Sequence, residues 1–299
     1  QRKEMTSRLP AWFRQEIPKD ITFIKNRLRN FENSRLNTVC LSAKCPNINT
    51  CFENNNVTFM ILGDICSRSC GFCVVGKGKP LPLNLSEPLE LAITIAELNI
   101  KYAVITSVTR DDLAFGGATQ YARAVYLIRR LNPEVKIELL IPDLNHSESA
   151  LEIVVSSGPD IIGHNLETTR NIYPKIRPLG NYRRSLNVLK SVRKLGFAGL
   201  IKSGIMLGFG ETDKEVLLAL VDLKKSDCDI LTLGQYLSPS ESNFPVREFI
   251  SPEKFEFYRR KALDLGFKAV NCGPLVRSSY RAEEVYSETK SNIKNQISK

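Results

Sequence analysis

Six of the eight cysteines in this 299-residue chain fall within a 34-residue window, as two groups of three. Cys40, Cys45 and Cys51 have four and five residues between them; Cys66, Cys70 and Cys73 have three and two. Thiols grouped this closely hold metal or do chemistry in a reducing compartment, whereas in secreted proteins they form disulfides. The chain start reads as neither a secretory signal nor an organelle transit peptide, because Glu4, Glu16 and Asp20 interrupt its basic residues. Metal is therefore expected. Zinc sites pair ligands at two to four intervening residues and close with a fourth Cys or His. Here the groups are triplets, and the two histidines, His146 and His164, lie far downstream. Two iron–sulfur clusters with three thiolates each account for all six cysteines. One zinc ion with two thiols left over is the alternative. A cluster held by three thiolates keeps one iron open, as catalytic metal sites keep a vacancy for substrate.

The elements that must position these thiols form a regular series. Strand-like apolar runs recur at 57–62, 102–106, 135–141, 160–163, 200–207 and 229–233. Between them lie stripes of helical spacing: Leu91, Ile95 and Leu98; Tyr121, Val125, Ile128 and Leu131; Leu186, Leu189, Val192 and Leu195. Ser86 and Ser251 read as helix starts. Six strand–helix units predict an α/β fold, a partial (β/α)6 TIM-type barrel with its functional loops at the strands' C-terminal ends. An open doubly wound sheet is less consistent, because no Gly-rich phosphate loop follows the first strand. The expected organisation is an N-terminal extension over 1–56 that carries the first triplet, the barrel over 57–270, and a polar C-terminal segment over 271–299. Trp12 is expected to anchor the N-terminal arm on the barrel.

The formal net charge is +10, with 42 basic and 32 acidic side chains. Such an excess points to an acidic partner. The basic residues are scattered rather than interleaved with aromatics on one stretch, so a nucleic-acid-binding protein is a poor fit. No apolar run is long enough to span a membrane.

The second triplet reads Cys66-Ser-Arg-Ser-Cys70-Gly-Phe-Cys73, in the loop after the first barrel strand. This spacing resembles the radical S-adenosylmethionine enzymes. The upstream triplet and the C-terminal Arg277-Ser-Ser-Tyr280 narrow the resemblance to the lipoyl synthase family, over roughly residues 9–282. The blocks Thr58-Phe-Met-Ile-Leu-Gly-Asp64, His164-Asn-Leu-Glu167 and Leu231-Thr-Leu-Gly-Gln-Tyr236 agree with it. A biotin synthase-like or RNA-methylthiolating enzyme is the alternative. It is disfavoured by the position of the extra triplet and by the Arg-Ser-Ser-Tyr segment.

What the resemblance implies is specific. Cys66, Cys70 and Cys73 would hold the [4Fe–4S] cluster whose open iron chelates S-adenosylmethionine. Cys40, Cys45 and Cys51 would hold an auxiliary [4Fe–4S] cluster, with Ser279 as its fourth ligand and the C-terminal segment closing on it. The reaction would be radical insertion of two sulfur atoms, from the auxiliary cluster, at C6 and C8 of a protein-bound octanoyl group. The partners would be octanoylated lipoyl carrier domains or H protein, an electron donor such as flavodoxin or ferredoxin, and an iron–sulfur carrier for cluster rebuilding. Neither nucleic acid nor membrane is expected among them. The setting would be the bacterial cytoplasm, or an organelle matrix after processing.

Ligand contacts are expected from fewer clues. Asn165 and Glu167, after the fourth strand, are placed to meet ribose or the amino group. Arg177 is suited to a carboxylate, and Phe72 to the adenine face. Lys202 and Ser203, in the fifth strand, are also expected at the ligand. Residues 106–112 are expected near its methionyl end, and Gly208 and Gly210 weakly suggest backbone close to ligand. His164 is read as a hydrogen-bonded core histidine, and Cys228 and Cys272 as buried small hydrophobes.

Overall fold

A computed structural model describes residues 9–15 and 36–297. Much of the expected N-terminal extension, at 1–8 and 16–35, lies outside the described residues. Among the described residues one eight-stranded sheet organises the chain. Its strands are β1 (Asn37–Thr38), β2 (Thr58–Ile61), β5 (Tyr102–Ser107), β6 (Lys136–Leu140), β7 (Ile161–Gly163), β8 (Leu200–Leu207), β9 (Ile230–Gln235) and β10 (Ala269–Gly273), in that order. A separate two-stranded pair, β3 (Ile65–Cys66) and β4 (Gly76–Lys77), lies in the second cysteine loop.

All six expected barrel strands are present and parallel. The sheet also extends beyond them at both edges. Strand β10 adds a seventh parallel strand beside β9, across the boundary expected at 270/271. Strand β1 adds antiparallel to β2. The result is a partial barrel whose two edge strands, β1 and β10, face each other across an open side.

Helices flank the sheet, three of them on the predicted apolar stripes. They are α1 (Val39–Ser42), α2 (Ile48–Glu53), α3 (Glu87–Glu97), α4 (Ala118–Leu131), α5 (Glu148–Ser156), α6 (Tyr173–Ile176), α7 (Tyr182–Lys194), α8 (Asp213–Lys224), α9 (Pro252–Asp264) and α10 (Ala282–Ile297). Leu91 and Ile95, Tyr121, Val125 and Ile128, and Leu186, Leu189 and Val192 are buried, whereas Leu98 and Leu195 at the helix ends are half-buried and Leu131 is exposed. Each of the buried side chains contributes about 1.5–3 kcal/mol. Ser251 caps α9, its hydroxyl accepting from Lys254 N at 3.3 Å. Ser86 occupies the corresponding place on α3 without a side-chain cap.

The C-terminal segment is not a plain tail. Helix α10 places Ala282, Val285, Tyr286 and Ile293 against Tyr102, Val104, Ile161, Leu200, Ile230 and Ala269, near the starts of the strands. It therefore closes the bottom of the barrel. Phe13 rather than Trp12 secures the N-terminal arm: it is buried, 5.7 Å edge-on from Phe249, while Trp12 is exposed. Among the described residues no helix is long and apolar enough to cross a membrane.

Candidate active site

All six clustered cysteines line one cavity of about 590 Å³ inside the barrel. The second triplet sits at the strands' C-terminal ends. Leu62 and Gly63, both at positive φ (72° and 89°), turn the chain out of β2 into its loop. The loop is then held from three sides. Ser67 N donates to Thr109 O at 3.0 Å, Gly71 N to Ile176 O at 2.7 Å, and Asn243 Nδ2 to Gly71 O and Cys73 O at 3.1 and 3.0 Å.

The centre of the loop is Arg68, which is buried. Its Nε and Nη2 grip Asp111 at 2.7 and 2.8 Å, Nη1 donates to Asp143 at 2.9 Å, and Nη2 also reaches Asn145 at 2.9 Å. One fork thus fastens the Cys66–Cys70 turn to the loops after β5 and β6. Burial raises the Asp143 carboxyl, but the bonds and charge of Arg68 outweigh it and bring it to about 2. Cys66 Sγ accepts backbone N–H groups from Arg68 and Thr109, each at 3.4 Å. Such bonds tune a cluster held by the sulfur.

The first triplet lies toward the other end of β2. Cys40 is buried beside Thr58, whose hydroxyl donates to Ser279 Oγ at 2.7 Å. Asn47 Nδ2 donates to Leu275 O at 2.6 Å, so the loop after edge strand β1 is tied to the segment leaving edge strand β10. These two bonds bridge the open side of the barrel.

Glycines let the C-terminal segment lie this close. A Cβ on Gly234 would stand 2.0 Å from Val276 O. One on Gly204 would meet Thr232 Oγ1, Asn165 Oδ1 and Ser278 Oγ, all within 3 Å. Ser278 Oγ donates to Asn165 Oδ1 at 3.0 Å, joining the segment to the end of β7.

Asn165, Glu167, Arg177 and Phe72 all line the cavity beside the second triplet. Glu167 is held at φ 72°, a conformation a glutamate adopts only under constraint. Its amide donates to Gly204 O and its carbonyl accepts from Met206 N. Burial raises the Glu167 carboxyl, opposed by Arg177 and Asn165. Arg177 is buried over the Tyr173 ring, with one long bond of 3.4 Å to Asn165 O. Among the described residues most of its five donors thus remain for a ligand. Phe72 packs with Ile172, Ile176, Phe209 and Tyr236, an apolar wall on one side of the mouth.

Lys202 and Ser203 are corrections. Neither lines the cavity. Lys202 lies at the start of β8, where Nζ pairs with Glu138 at 2.8 and 2.9 Å while Tyr102 donates to Glu138 at 2.6 Å. This buried set belongs to the barrel floor. The Ser203 hydroxyl donates to His164 O at 2.8 Å and accepts Leu166 N at 3.2 Å, so it shapes the β7 turn. The Gly208 amide is not free for a ligand: Glu211 takes the Gly208 and Phe209 amides at 2.6 and 2.9 Å. Of residues 106–112, the first four line the cavity, whereas Arg110 and Asp111 brace loops.

His164 is buried with both ring nitrogens bonded: Nδ1 donates to Ile141 O and Nε2 accepts from Ser185 Oγ, each at 2.9 Å. Tyr173 completes the chain at 2.8 Å. Burial, then Arg177, brings the imidazole down to about 4. The unfolded chain therefore takes up this proton near pH 6.5 while the fold does not, so stability falls as pH drops from 6.5 toward 4. The expected loss is on the order of 5 °C in Tm beyond that of His164→Gln, measured by thermal unfolding across that range. Equal slopes for the two proteins would refute this.

The Radical SAM superfamily model matches residues 60–223. Lipoyl synthase of Caldanaerobacter subterraneus subsp. tengcongensis is 47% identical over 280 residues, 93% of this chain and 97% of that protein. Lipoyl synthase of Caldicellulosiruptor bescii is 48% identical over 276 residues, 92% of this chain and 94% of that protein. The chain belongs to the lipoyl synthase family. Among solved structures, methylornithine synthase superposes with a TM-score of 0.55 at 15% identity, covering 78% of this chain and 80% of that one. Streptococcus suis SuiB bound to S-adenosylmethionine gives 0.55 at 11%, covering 75% and 52%. These two share the fold.

A radical S-adenosylmethionine enzyme of the lipoyl synthase family uses a [4Fe–4S] cluster and S-adenosylmethionine. The cavity's donor set fits. All eight cysteines are free thiols. Burial and neighbouring thiols push Cys40 up to about 11 and Cys51 up to about 12. Burial pushes Cys70 up to about 11, with Arg177 opposing it. Thiols so placed ionise together only around a cationic core.

Proposed function

We propose that this chain is a lipoyl synthase acting on an octanoyl group borne by a lysine of a carrier protein, with each cysteine triplet holding its own [4Fe–4S] cluster. One observation carries the reading: both triplets and Ser279 open onto the same cavity. When bound, the two clusters and S-adenosylmethionine supply an electron, a 5′-deoxyadenosyl radical and the two sulfur atoms inserted at C6 and C8. The chain's own residues do the rest. Cys66, Cys70 and Cys73 donate three thiolates and leave one position for the amino and carboxylate groups of S-adenosylmethionine. Arg177 takes the carboxylate, Glu167 and Asn165 hold the ribose or amino group, and Phe72 lies along the adenine. Cys40, Cys45 and Cys51, with Ser279, hold the sulfur source. Met60, Val104 and Leu140 line the space between and keep the acyl chain out of water.

The serine has a physical role in this reading. A hydroxyl is a harder and weaker iron ligand than a thiolate, so Ser279 releases its iron more readily as sulfur is withdrawn. Ser279→Cys is expected to lower sulfur insertion roughly tenfold while leaving cluster content intact; full insertion would refute the role. The reading also requires a one-electron donor of the flavodoxin or ferredoxin type, a cluster carrier for rebuilding, and a reducing compartment such as the bacterial cytoplasm. To test the two-cluster assignment, Cys40, Cys45 and Cys51 are replaced together by Ala and the variant is reconstituted anaerobically. About half the iron and sulfide should be lost, with 5′-deoxyadenosine formation retained. Undiminished iron would overturn it.

A further inference from the structure

We infer that the exposed strip over 74–85 is the docking surface for the acylated carrier, and that it receives an acidic face of that partner. The inference deepens the reading above and rests on it. An acyl-lysine enters the cavity only if its carrier rests on the rim, and this strip is rim. It leaves the second triplet directly, with Val74 and Val75 still lining the cavity. Beyond them the chain turns outward. Lys77 and Lys79 are exposed, and among the described residues neither forms an ion pair. From 65 to 86 the sequence contains no Asp or Glu, so every charged side chain of the strip itself is positive.

Its apolar residues are equally unusual. Leu81 and Leu85 are 69% and 63% exposed, the two highest values among large hydrophobics of the described residues. Leu89, on the adjoining helix α3, is also exposed. Scattered exposed leucines need no explanation, but a run beside bare lysines at the mouth of an active site is the composition of a transient interface. The positive charge steers an acidic partner toward the rim, and the leucines hold it there. The chain's net charge of +10 points to the same partner chemistry.

The test compares two substrates. One is a whole octanoylated carrier domain; the other is a short neutral octanoyl-lysine peptide, which needs only the cavity. The variant is Lys79→Glu with Leu81→Asp and Leu85→Asp. A control, Lys225→Glu, changes an exposed lysine before β9 at the other end of the barrel. The expected result is a KM for the carrier raised roughly tenfold, with kcat and the peptide's KM unchanged and the control normal. Added salt should raise the wild-type KM for the carrier and leave the variant's nearly flat. An equal loss on both substrates, an unchanged carrier KM, or a change in oligomeric state would overturn the inference. Wild-type turnover of both substrates checks the functional reading separately. Without turnover, direct titration of carrier onto wild type and variant still reads the docking surface.

Discussion

Arg68→Lys should unfold more easily and cleave S-adenosylmethionine far more slowly, although the charge is kept. The guanidinium binds Asp111 through two nitrogens and Asp143 and Asn145 through the same fork. An ammonium is a point donor and cannot span three loops at once. Asp143 is fully buried, and losing the Arg68 bond leaves it paired with Arg184 alone, whose Nε stands 2.9 Å from Oδ2, a cost of about 1.5–3 kcal/mol. The activity loss has a different origin. Arg68 lies between Cys66 and Cys70, and a displacement of about 1 Å there costs on the order of 100-fold in rate. Urea denaturation and the initial rate of 5′-deoxyadenosine formation measure the two effects. Adding Asp143→Asn should recover part of the stability and none of the rate. Recovery of both would mean that Arg68 acts through folding alone.

Gly234→Ala should separate the two halves of the reaction. A methyl group there would lie 2.0 Å from Val276 O and 2.9 Å from its carbonyl carbon. Backbone cannot yield as a side-chain tip can, so the segment carrying Arg277, Ser278 and Ser279 must lift from β9. The Thr58–Ser279 bond would then be lost, while the second triplet, Arg177 and Glu167 stay as they are. Overpacking of this kind costs about 1–3 kcal/mol. The expected outcome is near-normal 5′-deoxyadenosine formation with sulfur insertion reduced roughly 100-fold, read by mass spectrometry of the acyl product. Proportionate loss of both activities would contradict the division of labour between the triplets.

The parts of this site legible in the sequence are those with short-range spacing. The cysteine triplets, the helical stripes and the strand runs each announce themselves within a few residues. The Arg68 clamp does not, because its bonds cross 43 and 75 residues. Its one local clue is an arginine inside a metal-binding turn. Lys202 shows another limit. Period-two alternation puts it on the same side of β8 as Gly204 and Met206, which line the cavity, but depth along the strand decides what it meets. Glu138, an acid flanked by Ile137 and Leu139 in its strand run, is the available signal for its buried partner. Strand β10 and helix α10 escaped for a compositional reason: Ala-Val-Asn-Cys-Gly is short and partly polar, and α10 is rich in charged and polar residues. Both are fixed by tertiary contact with β9 and with the barrel floor, which propensity alone does not encode.

The most direct test of the account labels the sulfur. The enzyme is reconstituted with isotopically heavy sulfide, freed of excess label, and incubated anaerobically with an octanoylated carrier peptide, S-adenosylmethionine and a reductant, without added sulfide. The account predicts product carrying two heavy sulfur atoms in the first turnover, with 5′-deoxyadenosine formed, and no such product from the Cys40, Cys45 and Cys51 triple alanine variant. Sulfur insertion by that variant, or 5′-deoxyadenosine without sulfur insertion in the wild type, would contradict it.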